Sequence, residues 1–324
     1  MNRIIEKASS QTQWSRAMNN WMNKNRTLCL LTACLFSLVL SQDCLAKEGQ
    51  VDGPEPQLVK YKNTVDAKQK PVELKLHVFK PEGWTENDSR PAIVFFFGGG
   101  WARGEPSQFY SQCRDLMPLG IVAISAEYRV RSPHGTSPQE SVEDAKSAIR
   151  YVRAHAKELG INPDMIAGAG GSAGGHVAVS TAILDGFEAN GEDTSISCVP
   201  NLLVLFNPVI DTSPETGYGA GKIKPDPLVL SPFHHLHKDL PPTLIMHGDA
   251  DKTVSIDSVR AFVKRSKELG NSCTLVEYEG AGHSFFNSSE FKKAKEGTPD
   301  YYTLTLKEAA RFLEQSGYTA KKAQ

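Results

Sequence analysis

Ser172 sits at the centre of Gly170-Gly171-Ser172-Ala173-Gly174, a Gly-x-Ser-x-Gly spacing that suits a serine nucleophile. Met165-Ile166-Ala167 before it reads as a short buried strand, and the run from Val177 to Leu184 after it as an apolar helix. A nucleophilic serine at a strand-to-helix turn needs a strained backbone. Glycines two residues to either side leave room for that turn and for an incoming carbonyl. The helix beginning here would also point free N–H groups at any negative charge that develops. The chemistry implied is attack on a carbonyl carbon. The plainer alternative is a glycine-rich turn with a solvated serine.

Serine is a weak nucleophile until a base takes its proton, and the base needs an acid to fix its tautomer. Two polar clusters downstream could supply both. The strand-like run Pro242–Met246 leads into His247-Gly248-Asp249-Ala250-Asp251, and the run Thr274–Tyr278 leads into Gly280-Ala281-Gly282-His283. Both follow the carboxyl ends of strands, where open α/β sheets place their sites. His283, after the last strand, is the expected base. His176 is expected to pack within its helix and His247 to brace the acid loop. His234, His235 and His237 lie in a long loop with no evident metal-ligand set. Of the two acids, Asp251 ends the pattern His-Gly-x-x-Asp and is favoured. Asp249 reads as a turn residue bonded to its own backbone.

The apolar run Ala92–Phe96 opens through Phe97 into Gly98-Gly99-Gly100-Trp101. Three glycines after a buried strand let backbone N–H groups approach an oxyanion unobstructed. The expected donors are Gly99 and Gly100 together with the Ala173 N–H, with Gly98 as a substitute for one of them.

These pieces together resemble the α/β-hydrolase carboxylesterases and acetyl esterases, near the hormone-sensitive-lipase-like and feruloyl or acetyl-xylan esterase-like branches. The resemblance rests on Phe97-Gly98-Gly99-Gly100-Trp101, Ala126-Glu127-Tyr128-Arg129, Ser172-Ala173-Gly174-Gly175, His247 to Asp251 and Gly282-His283. It implies the α/β-hydrolase fold, a mostly parallel central sheet with helices on both faces. It also implies a Ser172–Asp251–His283 triad that works without metal or organic cofactor. These families usually carry histidine where this chain has Phe97. The glycine loop is therefore expected to be held by packing.

The remaining sequence fits this picture. A chain of 324 residues with 40% hydrophobic residues can bury one sizeable core, and a formal net charge of −1 gives no support for a nucleic-acid partner. In the amino-terminal segment, residues 1–46, residues 24–46 run from a basic start through a short apolar stretch to a small-residue end. That is the pattern of a secretory signal peptide cleaved after Ala46, leaving residues 47–324 as a single domain in the periplasm or secreted. Met18 and Met22 are alternative starts. The Leu31-Thr32-Ala33-Cys34 stretch offers a lipoprotein box, and an uncleaved anchor is a further alternative. Removing the signal leaves Cys113, Cys198 and Cys273, enough for at most one internal disulfide.

Alternating strands and helices argue for a mostly parallel sheet. A capping box at Ser137-Pro138-Gln139-Glu140 starts one helix. The run Val72–Phe79 alternates as an edge or antiparallel strand does. The segment from Asp211 to Leu240 breaks the rhythm and is expected to wall the cleft, with Trp101 shaping a short acyl pocket. A short amino-terminal stretch leaves no room for a large cap and favours small esters, such as acetylated sugars. Two alternatives are a serine peptidase of the prolyl-oligopeptidase type, which usually adds a large domain, and a non-catalytic binding protein on the same fold, which would have lost a triad member.

Overall fold

A computed structural model describes residues 53–289 and 297–319. The expected signal segment lies outside the described residues. Eight strands form one sheet: β1 (Gln57–Val65), β2 (Pro71–Phe79), β3 (Arg90–Phe96), β4 (Val122–Ala126), β5 (Ile161–Gly171), β6 (Leu202–Phe206), β7 (Thr243–Gly248) and β8 (Cys273–Tyr278). Their order across the sheet is β1-β2-β4-β3-β5-β6-β7-β8. β2 runs antiparallel to both β1 and β4, and every other pairing is parallel. The alternating run at Val72–Phe79 is thus antiparallel but internal, because β1 covers its outer edge.

Five longer helices accompany the sheet among the described residues: α1 (Tyr110–Leu116), α2 (Pro138–Ala154), α3 (Ala173–Ile183), α4 (Ile256–Glu268) and α5 (Tyr301–Gln315). The capping box of α2 forms as expected: the Ser137 hydroxyl accepts from the backbone, and Glu140 accepts from the Ser137 N–H at 2.9 Å. β3, β4 and β6 are buried on both faces, as central parallel strands must be. Almost all of α3 is buried too, so its sequence is apolar all round and shows no polar stripe.

The Ala126-Glu127-Tyr128-Arg129 stretch ties the sheet to the glycine loop. Buried Arg129 donates from Nε and Nη2 to the Asp144 carboxylate at 2.8 Å each, and Lys62 adds a bond at 2.7 Å. Both charges are paired, as burial requires. Next to them the Tyr128 hydroxyl donates to the Phe97 carbonyl at 2.5 Å. Its ring stacks on Phe97 with centroids 4.1 Å apart. Phe97 is therefore held by packing and one hydrogen bond, at the position where the resemblance led to an expectation of histidine. Cys113, Cys198 and Cys273 are all buried free thiols.

Candidate active site

β5 ends at Gly171, and α3 begins one residue after Ser172. Between them Ser172 holds φ +56° and ψ −120°, a conformation that L-residues rarely adopt. Close neighbours hold it there. The Ser172 N–H donates to the Phe206 carbonyl at 2.9 Å, and the Ser172 carbonyl accepts from His176 and Val209. The flanking glycines are required sterically. A Cβ on Gly170 would lie 2.4 Å from the Gly174 carbonyl oxygen, and one on Gly174 would lie 2.0 Å from the Phe96 carbonyl oxygen.

The three expected triad residues meet at this turn. The Ser172 hydroxyl donates to His283 Nε2 at 2.9 Å, and His283 Nδ1–H donates to Asp251 Oδ2 at 2.7 Å. The second Asp251 oxygen accepts from the N–H groups of Thr253 and Val254 at 2.8 and 3.0 Å. His247 Nε2 lies 3.3 Å from the Asp251 carboxylate and 3.1 Å from the Val254 carbonyl, so His247 braces the acid loop as expected. Burial by itself would raise the Asp251 pKa. Hydrogen bonds from His247, His283 and the two backbone amides outweigh it and hold the carboxyl far below the usual range. Asp251 therefore stays ionised and can stabilise an imidazolium on His283. Asp249 does other work: its Oδ1 accepts from the Gly280 N–H at 2.7 Å and joins the two loops.

Gly98, Gly99 and Gly100 line a cleft of about 900 Å³ together with Ser172 and His283. The Gly98 N–H donates to Gln108 Oε1 at 2.6 Å and is therefore not available as an oxyanion donor. Gly99 and Gly100 have φ of +127° and +63°, values that favour glycine. Among the described residues their N–H groups and that of Ala173 donate to no protein acceptor, which leaves them free for a ligand oxygen.

Trp101 does not line the cleft. Its own φ of +56° turns the indole inward, where it is 1% exposed. It meets His176 edge-on with centroids 4.9 Å apart and Tyr218 at 5.9 Å. Burial of a large apolar ring is more favourable than exposure at a polar cleft mouth. The Asp211–Leu240 segment reaches the cleft through Tyr218. Its histidines make local bonds: His234 to the Ser231 hydroxyl at 2.8 Å and His235 to the Leu228 carbonyl at 3.1 Å.

Three neighbours were not singled out in the sequence. Gln108 fixes Gly98, and Phe286 packs where a Gly171 Cβ would lie 2.3 Å from its ring. Asn207, at φ +33°, places its amide 3.3 Å from His283 Nδ1.

His176 supplies a pH-dependent element beneath the loop. Burial pushes its pKa down to about 4, against the opposing effect of its bond to the Leu230 carbonyl at 2.7 Å. An unfolded histidine titrates near 6.5, so as pH falls below that value the unfolded chain takes the proton and the native one does not. His176 therefore costs nothing above pH ~6.5 and destabilises increasingly down to about pH 4, by on the order of 3 kcal/mol in all. Below that range the slope ends. Urea unfolding across this interval should show a steeper loss in wild type than in His176→Asn. Parallel pH slopes for the two proteins would contradict the assignment.

The chain is similar to known proteins. The BD-FAE family model matches residues 76–217, and that of the dienelactone hydrolase family matches residues 230–311. Esterase LipC of Mycobacterium tuberculosis is 31% identical over 229 residues, covering 60% of this chain and 53% of that protein. An acetylxylan esterase of Xylanibacter ruminicola is 28% identical over 225 residues, covering 64% of this chain and 43% of that protein. The chain thus spans about half the length of the curated relatives it matches. Thermogutta terrifontis esterase 2, solved with propionate and with butyrate bound, is 42% identical with a TM-score of 0.74. The match covers 83% of this chain and 97% of that one. With that identity over nearly the whole of a solved esterase, the chain belongs to the esterases of the α/β-hydrolase fold.

Proposed function

We propose that this protein is an exported serine esterase that hydrolyses short-chain carboxylic esters, acetyl esters of carbohydrates among them, through an acyl-enzyme on Ser172. The observation that carries the reading is the continuous hydrogen-bonded line Ser172–His283–Asp251, set at a strained turn beside the Gly99-Gly100 loop. Ser172 Oγ attacks the ester carbonyl carbon while His283 Nε2 takes the hydroxyl proton. Asp251 holds the Nδ1–H and balances the positive charge. The carbonyl oxygen, now negative, accepts from the N–H groups of Gly99, Gly100 and Ala173. Collapse of this intermediate breaks the bond to the alcohol, which leaves with the proton from His283. Water then attacks the acyl-enzyme, gives a proton to His283, and releases the acid and free Ser172.

Two features support a short acyl group on a polar alcohol. The cleft walls carry Gln108, Ser132, Tyr218, Thr253 and Asn287, and the buried Asn287 Oδ1 has no partner among the described residues. Such groups suit hydroxyls better than a long alkyl chain. The similar esterase 2 is described with propionate and butyrate, and another relative is named for acetylxylan. Export rests on the signal-like residues 24–46.

A panel of p-nitrophenyl esters from acetyl to dodecanoyl, run beside acetylated xylan, tests the substrate. An apolar pocket gains about 0.8 kcal/mol per buried methylene only while there is room for it. The value of kcat/KM should stop rising at about butyryl and then fall. A steady rise to dodecanoyl, with activation at a lipid interface, would identify a lipase instead.

A further inference from the structure

The glycine loop is tied down at four points. Tyr128 bonds the Phe97 carbonyl, Gln108 the Gly98 N–H, and the backbone N–H groups of Ala102 and Arg103 the Gly99 carbonyl. These ties are neutral. The fourth is a charge from a distant segment: Lys222 Nζ donates to the Gly100 carbonyl at 3.2 Å. The same ammonium donates to the Tyr218 hydroxyl at 3.3 Å. It sits 4.7 Å over the Tyr218 ring and 5.7 Å over the Trp101 ring. Among the described residues, no carboxylate lies within ion-pairing distance of it. An ammonium half-covered by protein usually finds an acid. Here two oxygens and two ring faces take that place.

Resting on the esterase reading, we infer that Lys222 is a positioning residue for the oxyanion loop. A bond to a charged donor is about twice as strong as a neutral one. It fixes the peptide plane after Gly100, whose carbonyl accepts from no backbone N–H among the described residues. The Gly100 N–H lies in the preceding plane, anchored through the Gly99 carbonyl; without Lys222 the plane on its other side turns freely, and the N–H loses the second of its two anchors. This effect acts on the transition state and leaves ground-state binding nearly unchanged. The Asp211–Leu240 segment is thus a clamp on the loop as well as a wall. Steric closeness agrees: a Cβ on Gly100 would lie 2.9 Å from the Tyr218 hydroxyl and 3.0 Å from Lys222 Nζ.

The test compares wild type, Lys222→Met, Lys222→Arg and the exposed control Lys224→Met. Three quantities are read: kcat and KM on p-nitrophenyl acetate, affinity for a trifluoromethyl ketone that forms a tetrahedral adduct, and the rate of Ser172 labelling by a fluorophosphonate. Lys222→Met should lower kcat by roughly tenfold to a hundredfold with KM within about twofold, and weaken the ketone in parallel. Its labelling rate should fall as well. Lys222→Arg should recover most of the loss, and Lys224→Met should match wild type. An unchanged kcat in Lys222→Met, or a loss confined to KM, would overturn the assignment. So would a labelling rate equal to that of wild type. A wild type that neither turns over esters nor labels at Ser172 would instead strike the esterase reading, and the role of Lys222 would fall with it.

Discussion

Ser172→Ala should lose roughly a millionfold in kcat while the protein stays folded, and His283→Ala should lose a comparable amount. The two act as one unit: without the hydroxyl there is nothing to acylate, and without the imidazole the proton has no acceptor along the 2.9 Å line between them. Asp251→Asn should cost about ten-thousandfold, because an amide turned toward His283 Nδ1 favours the wrong tautomer. Asp249→Asn is the informative contrast. Its Oδ1 only accepts a bond from the Gly280 N–H, and an asparagine can accept the same bond, so the loss should be under about tenfold. The four variants are compared by steady-state hydrolysis of p-nitrophenyl acetate, with circular dichroism to confirm folding. Equal losses at Asp249 and Asp251 would remove the assignment of the acid.

Gly174→Ala should be among the most damaging single-methyl changes at the described residues. The added Cβ would lie 2.0 Å from the Phe96 carbonyl oxygen and 2.4 Å from that of Phe97. Both are backbone atoms at the end of the central strand β3, so neither can swing aside as a side chain would. Either α3 must lift from the sheet or the glycine loop must move, and each displaces Ser172 from His283. Stability should fall by on the order of 3 kcal/mol or more, with activity lost along with it. Gly221→Ala is the control, since no atom lies within 4 Å of its Cβ position. Urea unfolding of the two variants checks the difference. A Gly174→Ala protein as stable as Gly221→Ala would show that the turn is looser than the close approach of α3 to β3 requires.

The residues that carry chemistry were legible in the sequence because each stands at a strand end with distinctive neighbours. Ser172 lies between glycines that sterics demand, Asp251 follows the buried strand β7, and His283 follows the half-exposed edge strand β8. The central strands were legible for a related reason: burial on both faces leaves short, continuous apolar runs such as Leu202–Phe206. β1 was not, because Gln57–Val65 is a half-exposed edge strand with charged and polar residues at most positions. The seven-residue α1 was missed too, being too short for a helical period to stand out.

Trp101 and Gly98 show a different limit. Composition placed both in a glycine-rich loop beside the nucleophile, but the direction of a side chain or an N–H depends on φ and on distant partners. Gln108 claims the Gly98 N–H, and the left-handed turn sends the Trp101 ring inward. Lys222 shows it most clearly. It lies 122 residues from the carbonyl it holds, in a segment of no regular pattern. Only the folded chain brings the two together.

The central claim is a covalent acyl group on Ser172, and it can be observed directly. The protein is mixed with excess p-nitrophenyl acetate, quenched in acid within the burst of p-nitrophenol release, digested and examined by mass spectrometry. The account predicts one added acetyl group on the peptide that contains Ser172, absent from Ser172→Ala and lost again when the quench is delayed past substrate exhaustion. An active protein that never carries an acetyl group at Ser172, or carries it on another residue, would contradict it.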